Sequence, residues 1–384
     1  MADPSSAPRV INIGLIGCGE VAQVIHIPTL LYMRSHFRIT YLCDVSPAAL
    51  EHYAASIPTT TKSQSPVKTT RDPAELCASP EVDAVLVASS DEYHADHAIA
   101  ALRQGKHVLV EKPLALCRRD VEAIIRAEEE EIARGGGKGR VMVGYMRRYA
   151  AVFEDAVREI GGLDRILYAR VRDIIGPNST FVAQSATFPR KFTDLSAGDV
   201  ADKNARALEQ VRTALEAECG VAVTDESTRM WRVLGGLGSH DLSLMREALG
   251  MPERVIGAAL GLPVWNVLFK HASGYTISYE SGLINVPQFD AHLEVYSADK
   301  IVRVQYDTPY VKALPVTLHI TENGGDGVLR QTSIRKTYED PYTLELREFW
   351  QFVVEGKEVK TTARDALQDL QLFGMIMQYG NGGR

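Results

Sequence analysis

Val10-Ile11-Asn12-Ile13-Gly14-Leu15-Ile16-Gly17 is a short β-branched apolar run that stops at a glycine, and Gly17-Cys18-Gly19-Glu20-Val21-Ala22 follows at once. A continuous apolar strand suits a parallel sheet buried on both faces. The G-x-G-x-x-A pattern then opens a helix. Gly17 permits the tight turn, Gly19 admits close backbone approach to a pyrophosphate, and small Ala22 lets the helix pack near the strand. Free N–H groups and the helix dipole at Glu20 and Val21 would face the phosphates. Cys18 reads as a small packing residue inside this loop rather than a nucleophile.

Further strand–helix units strengthen the reading. Phe37–Asp44 predicts a second strand. Asp44 lies 25 residues after Gly19, where about 20 is usual, and the excess is assigned to a longer first connection holding Pro28 and Arg34-Ser35-His36. A carboxylate there can accept both hydroxyls of an adenosine ribose and would repel a 2′-phosphate. No Arg or Lys follows before Lys62, so NAD is expected rather than NADP. Asp44 could instead cap a turn before Pro47. Val82–Ala88 predicts a third strand, Ser89–His94 a loop with Asp91 as N-cap, and Ala95–Gln104 a helix closed by Gly105. Lys106–Val110 is the next strand, and Glu111-Lys112-Pro113 stands at its carboxyl end, where ligands collect in open parallel sheets. Arg118–Arg134 predicts a helix whose acid run Glu128–Glu131 is a solvated face. Gly135-Gly136-Gly137 breaks it before a strand at Arg140–Gly144.

The chain has 384 residues, enough for two domains. The expected division is a flexible tail over 1–9, a Rossmann NAD-binding domain over 10–145, and a second domain over 146–384, which the family resemblance given below implies is an α+β substrate-binding and dimerisation domain. A formal net charge of -7 without a Lys/Arg-rich stripe excludes nucleic acid as the natural partner. No apolar run reaches the ~18 residues of a membrane span. The polar N-terminus lacks a secretory pattern, so a cytoplasmic location is expected. The five cysteines are scattered without a CxxC pair, which fits reduced thiols and no structural zinc. His94 and His97 form an H-x-x-H, but no third ligand stands at sensible spacing, so no metal is expected.

The second half has mixed architecture. Arg165–Asp173 alternates as a half-exposed strand, and Asp199–Glu218 repeats Leu208, Val211 and Leu215 at helical spacing. Strands are expected at Trp265–Phe269, Tyr275–Tyr279, His292–Tyr296 and Ile301–Gln305, and helices at Thr343–Glu355 and Asp365–Tyr379. An open sheet cannot leave a broad apolar face in water, so a sheet-to-sheet homodimer or homotetramer is expected. Turn-rich Ile174–Thr193 reads equally as a lid or as a surface loop.

Several landmarks, in order, resemble the glucose–fructose oxidoreductase / inositol dehydrogenase / rhizopine-catabolism (Gfo/Idh/MocA) oxidoreductase family. They are Gly14–Ala22 with His26-Ile27-Pro28, then Ala88-Ser89-Ser90-Asp91-Glu92-Tyr93-His94, Gly105–Pro113 and Gly144-Tyr145-Met146-Arg147-Arg148-Tyr149. The G-K-H-V-x-x-E-K-P match is the most specific. The resemblance implies a Rossmann domain followed by an α+β domain with an open, mostly antiparallel sheet. It implies cofactor contacts at Gly17, Cys18, Gly19, Glu20, Val21, Asp44, Ser89, Ser90, His94, Glu111, Lys112, Pro113 and Arg148, and substrate contacts at Lys112, Tyr145 and His240. The family's D-x-G-x-H stretch corresponds to Gly236-Leu237-Gly238-Ser239-His240, which keeps the histidine and replaces the aspartate with Gly236.

Oxidation of a secondary alcohol needs a hydride acceptor and a base for the hydroxyl proton. Lys112 serves if burial lowers its pKa, or it polarises the substrate oxygen while His240 moves the proton. A helix start at Asp241 would hold His240 neutral. The bland alternatives are a Lys112–Glu111 pair and a capping histidine. Asp241 and Asp173 could replace the missing carboxylate, though Asp241 reads first as a helix-start charge and Asp173 as a strand-end surface residue. The expected function is therefore an NAD-dependent dehydrogenase or reductase acting on a sugar, cyclic polyol or related carbonyl compound. The alternatives are a cofactor-binding sensor without turnover, as the yeast galactose-pathway repressor resembles this family, and a redox-neutral reaction with tightly held NAD.

Overall fold

The computed structural model describes residues 8–58, 66–134 and 138–380. Lys62, the glycine break at Gly135–Gly137 and the tail up to residue 7 lie outside the described residues. The chain opens with β1 (Ile11–Ile16), a π-helical turn at Ala22–His26 and α1 (Ile27–Tyr32). Then come β2 (Phe37–Cys43), α2 (Pro47–Ser56), β3 (Lys68–Thr70), α3 (Pro73–Ala78) and β4 (Ala84–Val87). After a 3-10 turn at Asp91–Tyr93 follow α4 (His94–Arg103), β5 (His107–Glu111), α5 (Arg118–Ala133) and β6 (Val141–Gly144). All six strands are parallel, in the order β3-β2-β1-β4-β5-β6. That is the doubly wound dinucleotide-binding order, with its crevice where β1 meets β4.

Pro28 lies in the connection between β1 and β2, inside α1, where the preceding turn is widened: the Ile27 N–H reaches the Ala22 carbonyl, five residues back. This π-turn sets the helix out of register just where a proline would otherwise collide with the preceding carbonyl. Asp91 begins the 3-10 turn, and Tyr93 occupies the N-cap of α4 without a side-chain bond.

A 3-10 turn at Met146–Tyr149 leads into α6 (Ala151–Gly161), β7 (Tyr168–Ile175), α7 (Asn178–Val182) and α8 (Ala197–Arg212). Beyond these, α9 (Asp225–Val233), a π-turn (Leu234–Gly238) and α10 (Ser239–Leu249) run without interruption. The strands β8 (Arg254–Ala259), β9 (Val264–Lys270), β10 (Thr276–Leu283), β11 (Phe289–Tyr296), β12 (Lys300–Tyr306), β13 (Thr317–Asn323) and β14 (Leu329–Ile334) follow, then α11 (Pro341–Glu355) and α12 (Ala363–Gly380). Among the described residues no helix is long and apolar enough to cross a membrane.

Two compact units result, and they interleave where a contiguous split at 145/146 is expected. The first holds the chain up to Gly144 together with Thr187–Gln210 and Leu346–Ala366; the second holds Tyr145–Ala186, Val211–Glu345 and the chain from Leu367 onwards. Most of α8 and of α11 thus belongs to the Rossmann unit. On α11, Phe352 sets its ring edge-on against His107 of β5, with centroids 4.8 Å apart.

The second unit is built on one sheet, ordered β14-β13-β12-β11-β7-β10-β9-β8, antiparallel except where β7 meets β10. Its core face carries Val171, Tyr279, Trp265, Leu293 and Val304, all buried. The other face is not apolar. Arg170 pairs with Glu280 at 2.9 Å, Arg172 with Asp290 at 2.8 Å, and Arg303 with Glu294 at 3.7 Å. That face is thus mixed rather than broadly apolar, with Val264 and Leu268 exposed on it beside the ion pairs.

Candidate active site

In the Rossmann unit a cavity of about 920 Å³ follows the carboxyl edge of the parallel sheet, lined by Gly17, Gly19, Glu20, Val21, Asp44, Ser89 and Ser90 among others. Its size lies within the range of small-molecule and cofactor sites, roughly 300–1,000 Å³. Gly17 has φ +97, and a Cβ there would stand 2.5 Å from the Ala88 carbonyl oxygen, so the β1 and β4 edges meet only because position 17 lacks a side chain. A Cβ on Gly19 would meet nothing within 4 Å. The loop thus offers open backbone at 19 and a close turn at 17, which is the cradle a diphosphate requires.

Asp44 fastens the loop as well as lining the cavity. Its carboxylate accepts the Cys18 N–H at 2.7 Å and the Ser46 N–H at 2.8 Å, so Asp44 caps the turn and lines the cavity at once. Gln23, which the sequence reading passed over, donates to the Cys18 carbonyl at 2.7 Å. Burial, then the charges of Asp44 and Cys43, push the Cys18 thiol far above its ordinary range. It stays protonated and unreactive at neutral pH.

Glu111 ends β5 fully buried. One oxygen meets His26 Nε2 at 2.7 Å, and the other accepts the Lys112 N–H at 3.2 Å. Burial alone would raise the Glu111 carboxyl. The His26 bond and charge, with Lys112 and His94, outweigh it and hold the carboxyl below its usual value. A buried anion therefore sits directly beneath Lys112, whose side chain is half-buried. The Lys112–Pro113 peptide is cis. His94 Nδ1 lies 2.8 Å from the Pro113 carbonyl and Nε2 3.0 Å from that of Ser89, so the ring bridges the β4 and β5 loops. A neutral imidazole donates to one of these at a time. His97 meets the Ser89 hydroxyl at 2.9 Å, and its pKa is pushed down to about 4, mainly by burial and then by His94. Both histidines of the H-x-x-H thus have hydrogen-bonding duties at this cavity.

The second unit holds the other expected residues, and several readings change there. His240 is not at a helix start. It lies one residue into α10, which continues without a break from α9 through the π-turn at Leu234–Gly238. The helix-terminus argument for a neutral imidazole therefore fails. π-turns inside helices are often found at functional sites. Gly238 is required in this one: a Cβ there would stand 2.8 Å from the buried Tyr279 hydroxyl. Gly236 is exposed, and a Cβ on it would meet nothing within 4 Å.

Asp241 and Asp173 are neither a helix-start charge nor a surface residue. They are 1% and 0% exposed and share the guanidinium of buried Arg147, with Asp173 at 3.1 Å and Asp241 in a shorter contact. Arg147 also lies over the rings of Phe289 and Tyr306, at 5.5 and 5.6 Å. Burial raises the Asp241 carboxyl well above its ordinary value, against the pull of Arg147, and nearby Asp173 adds to the rise. Tyr145, expected at the substrate, is 2% exposed and gives its hydroxyl to Asp369 at 2.5 Å. Arg148, expected at the cofactor, is buried and bonded to Glu247 at 2.5 Å. The segment joining the units in sequence is thus dense with buried charge, which the sequence signalled only as Arg147-Arg148 among aromatic residues.

Comparison with known proteins bears on the same residues. The profile of an oxidoreductase family with an NAD-binding Rossmann fold, Gfo/Idh/MocA, matches residues 11–135. Inositol 2-dehydrogenase 2 of Saccharopolyspora erythraea is 40% identical over 139 residues, 36% of this chain and 37% of that protein. The 1-carboxy-3-chloro-3,4-dihydroxycyclohexa-1,5-diene dehydrogenase of Comamonas testosteroni is 30% identical over 203 residues, 53% of this chain and 47% of the relative. The chain therefore matches less than half the length of these curated relatives. A solved levoglucosan dehydrogenase, in complex with NADH and levoglucosan, superposes with a TM-score of 0.69 at 16% identity, covering 98% of both chains. At that identity the likeness concerns the fold.

Proposed function

We propose that the chain is an NAD-dependent dehydrogenase of the Gfo/Idh/MocA oxidoreductase family, whose NAD-binding Rossmann profile matches residues 11–135. Its substrate would be a secondary alcohol or ketone of a sugar, cyclic polyol or related small carbonyl compound. The observation that carries this reading is the cavity at the carboxyl edge of the parallel sheet, with the Gly17–Gly19 loop and the Asp44 carboxylate on its lining. When bound, the nicotinamide supplies a hydride acceptor or donor. The chain's own residues do the rest. Backbone amides of the glycine loop hold the diphosphate, and Asp44 orients the adenosine ribose. Lys112 takes the hydroxyl proton, or remains charged and polarises the substrate oxygen while His240 takes it. Glu111, kept ionised beneath Lys112, sets a fixed negative charge next to the lysine.

The test combines binding and turnover. Purified protein is titrated with NADH by nicotinamide fluorescence, then assayed with NAD and a panel of inositols, sugars and anhydrosugars. Lys112→Ala should keep NADH affinity within about threefold and lose turnover by at least ~100-fold, the scale of general acid–base catalysis. An unsubstituted protein that binds NADH tightly and oxidises nothing in the panel would favour a sensor, a role to which the exposed Gly236 in place of the family aspartate also points.

A further inference from the structure

Residues Thr187–Gln210 leave the second half of the sequence and fold onto the Rossmann unit. Their anchors run along the cavity in order. The Gln23 amide pairs with both backbone groups of Arg190, at 2.7 and 3.1 Å. Asp194 accepts the Ser46 hydroxyl at 2.5 Å and the Ala48 N–H at 2.8 Å, two residues and four residues past Asp44. On α8, Asp199 meets Arg71 at 3.2 Å, Asp202 accepts the Tyr93 hydroxyl at 2.7 Å, and Arg206 meets Asp96 at 2.7 Å. The strap is therefore fixed at both ends of the cavity and in between.

Two features of the strap face the adenosine end, which the β2 and β3 termini define. Leu195 and Val200 line the cavity yet are 43% and 44% exposed, and Val45, on the loop after Asp44, is 43% exposed on the same lining. Pro73 and Ala74 complete that region. This is apolar surface on two sides of a slot, which a purine ring would cover. Beside it stands Arg71, next to Thr70, whose carbonyl accepts the Asp44 N–H at 3.3 Å. A guanidinium at that place would welcome a ribose 2′-phosphate. Here it is already bound to Asp199.

We propose that the strap is the second wall of the adenosine subsite and that Asp199, by holding Arg71, makes the site select a ribose 2′-hydroxyl over a 2′-phosphate. Cofactor choice is then set from two sides, by Asp44 on the sheet edge and by an acid the second half of the chain lends to the first. A 2′-phosphate would meet two carboxylates and a guanidinium already neutralised. The proposal rests on the NAD reading above, and its test separates the two. Affinities for NADH, NADPH and ADP-ribose are measured by fluorescence and calorimetry for the unsubstituted chain, Asp199→Ala, Arg71→Ala/Asp199→Ala and Leu195→Ser/Val200→Ser.

Asp199→Ala should tighten NADPH binding about tenfold relative to NADH, the effect of one charge-assisted phosphate contact. The Arg71→Ala/Asp199→Ala protein should lose that gain. Leu195→Ser/Val200→Ser should weaken ADP-ribose about tenfold, for the apolar cover removed. An unchanged NADPH:NADH ratio in Asp199→Ala overturns the proposal, as does a gain that persists without Arg71. So does ADP-ribose affinity indifferent to the strap. If the unsubstituted chain binds no NADH, the dehydrogenase reading fails with it.

Discussion

Replacing Arg147 by Met in the second unit exposes what its buried charges cost. Arg147 is 3% exposed, and both of its carboxylate partners are buried completely or nearly so. Met keeps most of the apolar stem and removes the guanidinium. Two buried carboxylates would then be left without their cation, and breaking a buried pair in this way costs about 3–5 kcal/mol. The Asp241 carboxyl, which burial already raises well above its ordinary value, would be raised further without the pull of Arg147. The penalty must therefore shrink as the solution is acidified from pH 7 to pH 5. The sign is definite: a folded-state carboxyl raised above its unfolded value loses stability as pH rises. Asp241→Asn, which mimics the protonated acid, should cost no more than about 1 kcal/mol at either pH. Urea unfolding followed by tryptophan fluorescence reports the unit directly through buried Trp231 and Trp265. An Arg147→Met penalty below 1 kcal/mol at pH 7, or one independent of pH, would refute the account of a cation shared by two buried carboxylates.

Two further outcomes are expected. His97 and His107 are both pushed down to about 4, chiefly by burial, so each binds its proton more readily in the unfolded chain. Stability is full above about pH 6.5 and falls as pH drops toward 4, by up to roughly 1.4 kcal/mol per unit for each ring. His107→Phe should flatten that slope in urea titrations at pH 7 and 5, and parallel curves would dismiss it. Gly238→Ala should destabilise the second unit by about 1–3 kcal/mol, since its methyl group overlaps a buried phenol oxygen. Tyr279→Phe on the same chain should recover most of the loss, and a double variant no better than Gly238→Ala would show that the clash lies elsewhere.

What could be read from the sequence follows interaction range. The Gly17–Ala22 loop, Asp44 and Glu111-Lys112-Pro113 were legible because strand, turn and helix N-terminus are consecutive, and each residue type answers to a local geometric demand. The parallel order of β1 to β6 follows from the same alternation. Interactions that close at long range were not legible. Nothing near Asp199 announces Arg71, 128 residues away, or that Asp194 would cap the start of α2. The π-turns escaped for another reason. Ala22–His26 and Leu234–Gly238 look like a helix broken by Pro28 and by glycines, whereas a wider turn absorbs both without ending the helix. Asp173 was misplaced because an alternating strand pattern marks its odd and even faces but does not say that the buried face holds a charge. Only the presence of Arg147 makes burial of that carboxylate affordable.

The buried charges also bear on the carboxylate missing at Gly236. Asp241 follows His240 directly, so the two side chains diverge by about 100° around the helix, and Asp241 points to Arg147 in the core. Asp173 is held by the same guanidinium, and the part these carboxylates play in the fold is mechanical. Arg147 with Asp241, Arg148 with Glu247, and Arg246 with Asp369 at 2.7 Å tie α10 to the Tyr145–Tyr149 segment and to α12. Tyr145 closes the set on Asp369. Gly236 brings no side chain to its position, and the helix that carries His240 is held by these three ion pairs instead.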